Sequence, residues 1–277
     1  MSGDLAIFLP LGTAALLYAH GFRRLRVGPG SLVVARTGQG VAFAAALIVI
    51  LTALVAPLDD WAEASFAAHM GQHLLLIVVA APLLALSRAP IVMLSALDVR
   101  ARRAVAFFAT RSGWNACARA LARPLSAWSI FTGVFLFWHL PAAFRWAQQH
   151  EAAHVAEHLT LLGSAWMFWS VALAPARHRL GRGGAALFVV TAAMVLDLPS
   201  AVMIFSPRAL YLSAHASTLP WGLTALEDQA LAGLLMWVPG SLVFYLIALW
   251  LFAQWLTPAN KAQLRAHDMV RNESVTS

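Results

Sequence analysis

Seven long apolar stretches constrain the fold of this chain more than any other feature of its sequence. Each is about 18 residues or longer, the length that an α-helix needs to cross a hydrocarbon core of about 30 Å. They cover about residues 5–22, 40–57, 65–86, 126–145, 151–174, 184–205 and 229–256. Hydrophobic residues make up 61% of the chain and charged residues 11%, whereas soluble proteins have roughly 25% charged residues. We therefore expect an all-α fold, a polytopic membrane helix bundle with seven transmembrane helices in a lipid bilayer.

The basic residues indicate how these helices cross the membrane, because cytoplasmic loops close to membrane spans accumulate Lys and Arg. Of the 19 basic residues, only Arg145 and Arg208 fall outside the first, third and fifth loops and the C-terminal tail. Acidic residues mark the other side, at Asp4, Asp59, Asp60, Glu63, Glu151, Glu227 and Asp228. We therefore expect the N-terminus outside and the C-terminus in the cytoplasm. The net charge of +7 then reflects topology, and we do not expect nucleic-acid binding.

The predicted spans form one transmembrane domain over residues 1–256, with a cytoplasmic loop at 87–125 and a cytoplasmic C-terminal tail at 257–277. The loop contains the segment VRARRAVAFFATR, which mixes arginines with Val105, Phe107 and Phe108. Such a mixture is typical of an amphipathic helix that lies on anionic lipid. Docking on a partner subunit would require the same pattern.

Seven of the ten histidines lie at or near the edge of the spans that the charge pattern places outside the cytoplasm. His69 and His73 share a helix face at i, i+4, and so do His154 and His158. At a rise of about 1.5 Å per residue, these four and His139 fall into one layer within about 12 Å of that edge. Because a buried polar group in lipid needs a partner, we expect these five residues to form a metal site.

The remaining histidines are less informative. His150 is expected at the solvated interface, and His215 belongs to an outer loop. His20, His178 and His267 fall on the cytoplasmic side and are expected to be ordinary basic interface residues.

The types of ligand narrow the choice of metal, since imidazole with occasional thioether suits copper, zinc or iron. A set rich in histidine and poor in carboxylate, with Met70 and Met236 nearby, favours copper, especially Cu(I), over zinc. Glu157 and Asp197 are candidates for groups that orient the imidazoles. The single cysteine, Cys117, excludes a CxxC metal carrier and a c-type haem attachment site.

Glycines and prolines beside the histidines lead to expectations about helix geometry. Gly71 and Gly233 are expected to let helices approach closely next to the site. Pro141 and Pro239 are expected to break the local helix.

Four segments in series resemble the successive motifs of the CtaG-type cytochrome c oxidase assembly factors of bacteria, a family of seven-span membrane proteins. They are HMGQHLLLIVVAAPLLAL (69–86), FWHLPAAF (137–144), HEAAHVAEHLTLLGSAWMFW (150–169) and DQALAGLLMWVPGSLVFYL (228–246). The resemblance covers roughly residues 40–256. It implies a protein of the bacterial inner membrane that is not an enzyme, handles copper and acts on cytochrome c oxidase subunits.

Carried over residue by residue, the resemblance implies the metal ligands His69, His73, His139, His154 and His158. The DQxxAGxxMW motif of the family corresponds to Asp228, Gln229, Ala232, Gly233, Met236 and Trp237. It adds Asp228 to the candidate ligands and supporting residues, beside Met236. The stretch PRALYLSAHASTLP at 207–220 departs from the family's tyrosine-rich loop and leaves His215 without support.

We therefore expect a membrane assembly factor for a copper-containing cytochrome c oxidase, with a histidine cluster that binds a metal near the outer face. Two alternatives stay open. In a haem-binding membrane cytochrome or oxidoreductase, histidines on facing helices would ligate haem. In a copper transporter, the same layer of residues would pass the ion across the bilayer.

Overall fold

The computed structural model describes residues 2–27, 37–121, 123–174, 180–211 and 222–257, and within these residues it contains helices and no strand. We number the helices α1 (Ser2–Val27), α2 (Thr37–Leu54), α3 (Leu58–Ala64), α4 (Phe66–Ser87), α5 (Ala89–Ala96), α6 (Val99–Arg111), α7 (Trp114–Leu121), α8 (Pro124–Trp138), α9 (Pro141–Gln149), α10 (Glu151–Ala172), α11 (Gly181–Phe205) and α12 (Ala225–Leu256). The predicted all-α class is confirmed.

Four of these helices, α2, α4, α11 and α12, are long and apolar enough to cross a membrane. A fifth span results if α7 and α8, which are bent by 78°, count as one. Helix α10 has the length of a span at 22 residues, but its histidines and glutamates make it less apolar. The count of seven spans and the orientation of the termini stay predictions.

The predicted span over 126–145 is wrong as a single helix. Helix α8 ends at Trp138, and α9 begins at Pro141. Leu140 between them is extended, with φ −74° and ψ 133°, because a proline disfavours the helical conformation of the residue before it. Pro141 then takes the first position of the next helix, where its missing N–H has no cost. The expectation that Pro141 breaks the helix is thus confirmed.

Two long helices each contain a wider, π-helical turn. One covers Leu75–Ala80 in α4, and the other covers Met236–Gly240 in α12 and includes Pro239, as expected. In a π-helical turn the backbone hydrogen bonds join residues i and i+5, so the regular α-helical pairing of backbone N–H and C=O groups is interrupted. The indole nitrogen of Trp169 on α10 donates a hydrogen bond of 2.9 Å to the carbonyl of Ile77 inside the first of them. This bond joins α4 to α10.

The two glycines expected at close helix contacts behave differently. A Cβ atom on Gly233 would lie 2.8 Å from the Cγ1 of Ile204 and 2.9 Å from the carbonyl oxygen of Ser200. The close approach of α11 and α12 at Gly233 is therefore confirmed. The same expectation is wrong for Gly71, because a Cβ atom there would meet nothing within 4 Å.

Helix ends gather at two opposite ends of the bundle. At one end, Asp228 in the first turn of α12 binds the start of α4, and Tyr211 after α11 binds His139 after α8. At the other end, the hydroxyl of Tyr18 in α1 donates to the carbonyls of Gln39 at the start of α2 and Ser87 at the end of α4. The large hydrophobic core lies between α4, α8, α10, α11 and α12.

The arginine-rich segment predicted to be an amphipathic helix forms α6. None of its residues is buried, and the ring of Phe108 is 68% exposed. The helix is confirmed, while its contact with lipid or with a partner subunit stays a prediction.

Candidate metal centre

Helix α4 presents two of the predicted ligands from a firmly capped first turn. Asp228 accepts hydrogen bonds from the backbone N–H of Phe66 at 2.7 Å, from that of Ala67 at 3.2 Å and from the hydroxyl of Ser65 at 2.6 Å. A carboxylate at a helix N-terminus satisfies free N–H groups and complements the helix dipole. His69 and His73 follow on one face, with ring centroids 4.4 Å apart. Both are 1% exposed.

Helix α10 presents three polar side chains toward α4. His154, Glu157 and His158 are spaced at i, i+3 and i+4, which places them on one helix face. The rings of His154 and His158 lie 4.5 Å apart. The Glu157 side chain between them is completely buried at 0% exposure, and that of His158 is 9% exposed.

The two helices bring these side chains into contact. The ring of His69 lies 5.4 Å from that of His154 and 6.0 Å from that of His158. The ring of His73 lies 5.3 Å from that of His158. The carboxylate of Glu157 reaches both helix α4 histidines, at 3.6 Å from the Nε2 of His69 and 3.7 Å from the Nε2 of His73.

His139 joins the cluster from the break between α8 and α9. Its ring centroid is 6.1 Å from that of His73. Its Nδ1 donates a hydrogen bond of 2.6 Å to the carbonyl of Phe135. Because a carbonyl only accepts, the proton sits on Nδ1 and the lone pair on Nε2 is available to a metal. This is the backbone support that metal-binding imidazoles commonly have.

Nine buried polar atoms of these residues have no hydrogen-bond partner among the described residues. They are both ring nitrogens of His69 and His73, the Nε2 atoms of His139, His154 and His158, and both carboxylate oxygens of Glu157. Buried polar groups are nearly always hydrogen-bonded or bound to metal, because their desolvation is costly. A set of lone pairs concentrated at one point therefore fits a cation.

Two three-residue groups are compact enough to hold an ion. In each group the potential ligand atoms all lie within 4.8 Å of one another, and the groups are His69, His154, His158 and His69, His73, Glu157. Metal–nitrogen bonds are about 2.0–2.1 Å, so small side-chain rotations bring such atoms to coordination distance. The structure thus brings all five predicted histidines together, together with Glu157.

The other predicted residues lie in different places. Met70 and Met236 are buried and line a small cavity of about 30 Å³ beside His73. Asp197 on α11 belongs to neither compact group of potential ligands, and its carboxylate accepts hydrogen bonds from Ser241 and Tyr245. Asp228 supports the site indirectly, through the cap on α4.

Of the two peripheral histidines, His150 does not join the cluster. His150 is exposed at the start of α10, and its Nδ1 donates to the carbonyl of Trp146 at 3.0 Å. His215 lies outside the described residues.

Sequence reasoning assigned no structural role to Tyr211, Gln72 or Gln229, although Gln229 belongs to the DQxxAGxxMW motif. The hydroxyl of Tyr211 donates to the carbonyl of His139 at 2.5 Å. The Gln229 side chain accepts from the backbone of Leu210 and Tyr211 and donates to the carbonyl of Met203. The amide of Gln72, between the two α4 histidines, donates to Ala53 and Asp59. A polar amide inside an apolar run was the available signal, because such a group needs a partner in lipid.

The fold and the cluster define a class of protein, an all-helical protein with membrane-type helices and a largely buried cluster of histidines. The family model for the cytochrome c oxidase caa3 assembly factors matches residues 16–257. This chain therefore belongs to the cytochrome c oxidase caa3 assembly factor family, as its motifs predict. Neither the curated proteins nor the solved structures contain a significant match to it.

Proposed function

We propose that this protein serves the assembly of a caa3-type cytochrome c oxidase by holding copper in its histidine cluster and passing it to the oxidase subunits. The observation that carries the proposal is the convergence of five imidazoles, four of them buried, each with a ring nitrogen that has no hydrogen-bond partner among the described residues. Membership of the assembly factor family supports the oxidase as the recipient of the copper. The cluster would lie near the outer face of the bacterial inner membrane.

The types of side chain in the cluster favour copper over zinc. Neutral imidazole is a good ligand for copper, and the nearby thioethers of Met70 and Met236 are soft groups that suit Cu(I). Protons compete with metal for imidazole, so acid would favour release. Only metal–ligand bonds form and break, and no covalent bond of the protein changes, so the proposed role is not catalytic. Transfer requires only that ligands of the oxidase replace the histidines one at a time.

Copper binding by the purified protein tests this proposal. We expect one or more Cu(I) ions per chain in a chelator competition under reducing conditions. Replacing His73→Ala and His158→Ala together removes ligands from both helices. Because changes outside the ligand shell already cost about 10–100-fold in metal affinity, we expect a loss above about 100-fold.

His150→Ala is the matched control, since His150 is exposed at the start of the same helix as His158. It should retain the affinity of the unmodified protein. A protein that is isolated without copper and takes up none would contradict the proposal. A Soret band in the absorption spectrum would favour the haem alternative instead. Uptake of copper into sealed proteoliposomes would favour the transporter.

A further inference from the structure

We propose that the cluster contains two overlapping metal positions that share His69, and that Glu157 makes the second position selective for divalent ions. This inference rests on the proposed metal-binding function and goes beyond it. The first position consists of His69, His154 and His158, and the second consists of His69, His73 and Glu157. Zinc sites that exchange a ligand usually have three protein ligands and one open coordination position.

The two positions differ in depth. In the first, His154 is partly exposed and His158 is 9% exposed. In the second, His69 and His73 are 1% exposed and Glu157 is fully buried. The imidazole position therefore lies nearer the surface, and the carboxylate position lies in the interior. His139 approaches the second one, through His73.

The two positions also differ in charge. Three neutral imidazoles add no charge to an ion, which suits a monovalent and soft cation such as Cu(I). Glu157 adds one negative charge, and its attraction for a cation is strong at low dielectric constant and grows with the charge of the ion. Its oxygens have no hydrogen-bond partner among the described residues. A divalent ion is the partner that best offsets the cost of burying this carboxylate.

His69 links the two positions. Both of its ring nitrogens lack a hydrogen-bond partner among the described residues. The residue belongs to both ligand groups. One imidazole therefore contributes to both positions, so an ion in one position reduces the ligands that the other can use.

Two metal probes distinguish the positions in the purified full-length protein. Cu(I), measured by chelator competition, reports the imidazole position, and Co(II), measured by its visible absorption, reports the carboxylate position. We expect Glu157→Gln to weaken Co(II) binding at least about 10-fold, as the loss of a supporting group alone does, and to change Cu(I) affinity less than about 3-fold. His154→Ala should have the opposite preference, and His69→Ala should weaken both.

Controls separate selectivity from misfolding. Glu151→Gln removes an exposed carboxylate from the same helix and should change neither affinity. If Glu157→Gln does not give a monodisperse protein, His73→Gln tests the second position instead, because His73 belongs to that position alone. Equal losses of both ions in Glu157→Gln and in His154→Ala would overturn the two-position inference while copper binding stands. An unmodified protein that binds neither ion would overturn the proposed function itself.

Discussion

His139 is held differently from the other four histidines of the cluster. Its ring stacks on Phe135 at 3.9 Å between centroids and donates to the carbonyl of the same residue. Its own carbonyl, freed by the end of α8, accepts from the hydroxyl of Tyr211. Tyr211 in turn stacks on Phe66 in the first turn of α4, at 4.6 Å. The ring is therefore oriented by contacts that need no metal.

Tyr211→Phe tests the support of His139, because it removes one hydroxyl and leaves the stacked ring in place. A buried carbonyl then loses its partner, which costs about 1–2 kcal/mol. We expect a lower unfolding temperature in detergent and a weaker affinity for copper. Both can be measured on the same preparation, by thermal unfolding and by chelator competition.

Tyr245→Phe is the matched control. The hydroxyl of Tyr245 bonds to Asp197 at 3.2 Å, away from the histidines, and the side chain is 40% exposed. It should leave copper affinity unchanged. If both substitutions had the same effect on copper affinity, the link from Tyr211 to His139 would have no role at the site.

At the scale of helices, the contact of α11 with α12 sets where α12 lies beside α4. Gly233 permits that contact one turn after Gln229, whose side chain ties α12 to the end of α11. Asp228 on the same turn caps α4. The placement of α12 thus affects α4, which carries two histidines of the cluster, although α12 itself contributes no histidine.

Gly233→Ala should destabilise the protein, because the added methyl group would meet atoms of Met203, Ile204 and Ser200 at 2.8–2.9 Å. One of these is a backbone oxygen, which cannot move aside alone. Overpacking of this kind typically costs about 1–3 kcal/mol. Thermal unfolding in detergent measures the effect.

Gly71→Ala provides the comparison within a helix of the same site, since a Cβ atom there has free space. Alanine is favoured over glycine in a helix by about 1 kcal/mol, so this variant should be as stable as the parent or more so. A Gly233→Ala protein that melts at the same temperature as Gly71→Ala would contradict the packing argument.

At the scale of the whole molecule, the histidine cluster and most of the described arginines lie at opposite ends of the bundle, with Arg145 and Arg208 as exceptions. The cluster lies where α4, α10 and α12 begin and α8 ends. Arg24, near the end of α1, bonds to the carbonyl of Leu97 after α5, at 3.0 Å. This arrangement is the one that the charge pattern predicts for helices of alternating direction.

The single native cysteine offers a direct test of orientation. Cys117 on α7 is exposed and belongs to the loop predicted to be cytoplasmic. A membrane-impermeant maleimide should label it in inside-out vesicles and leave it unlabelled in intact spheroplasts. Asp60→Cys in a Cys117→Ser background should show the reverse, because Asp60 lies on α3 at the end that carries the cluster. Labelling of Cys117 from the outside would contradict the predicted topology.

Much of the fold and of the site follows from sequence periodicity. The i, i+4 pairs and the helix rise place His69, His73, His154 and His158 at one depth. Depth alone does not determine which residues meet, however. Asp197 was a candidate for orienting an imidazole, yet it bonds to Ser241 and Tyr245. Lateral position depends on how whole helices pack, which local patterns do not encode.

The break at His139 was only partly predictable. Pro141 indicates an interruption, but the apolar run on both sides of it suggests one continuous span. The contact with Tyr211 could not be predicted, because it joins residues 72 positions apart through a loop. Such contacts depend on the path of irregular chain segments, for which helix and strand periods provide no information.

The hydrogen bond from Trp169 to Ile77 fixes the relative height of α4 and α10, the two helices that carry most of the cluster. Sliding one helix past the other by a single turn would displace its side chains by about 5.4 Å, more than the span of either ligand group. The indole of Trp169 therefore helps to set the distances between the histidine rings of α4 and those of α10. Loss of the Trp169 hydrogen bond would let α4 and α10 shift along their axes. The distances between their histidines would then change, although no histidine is replaced.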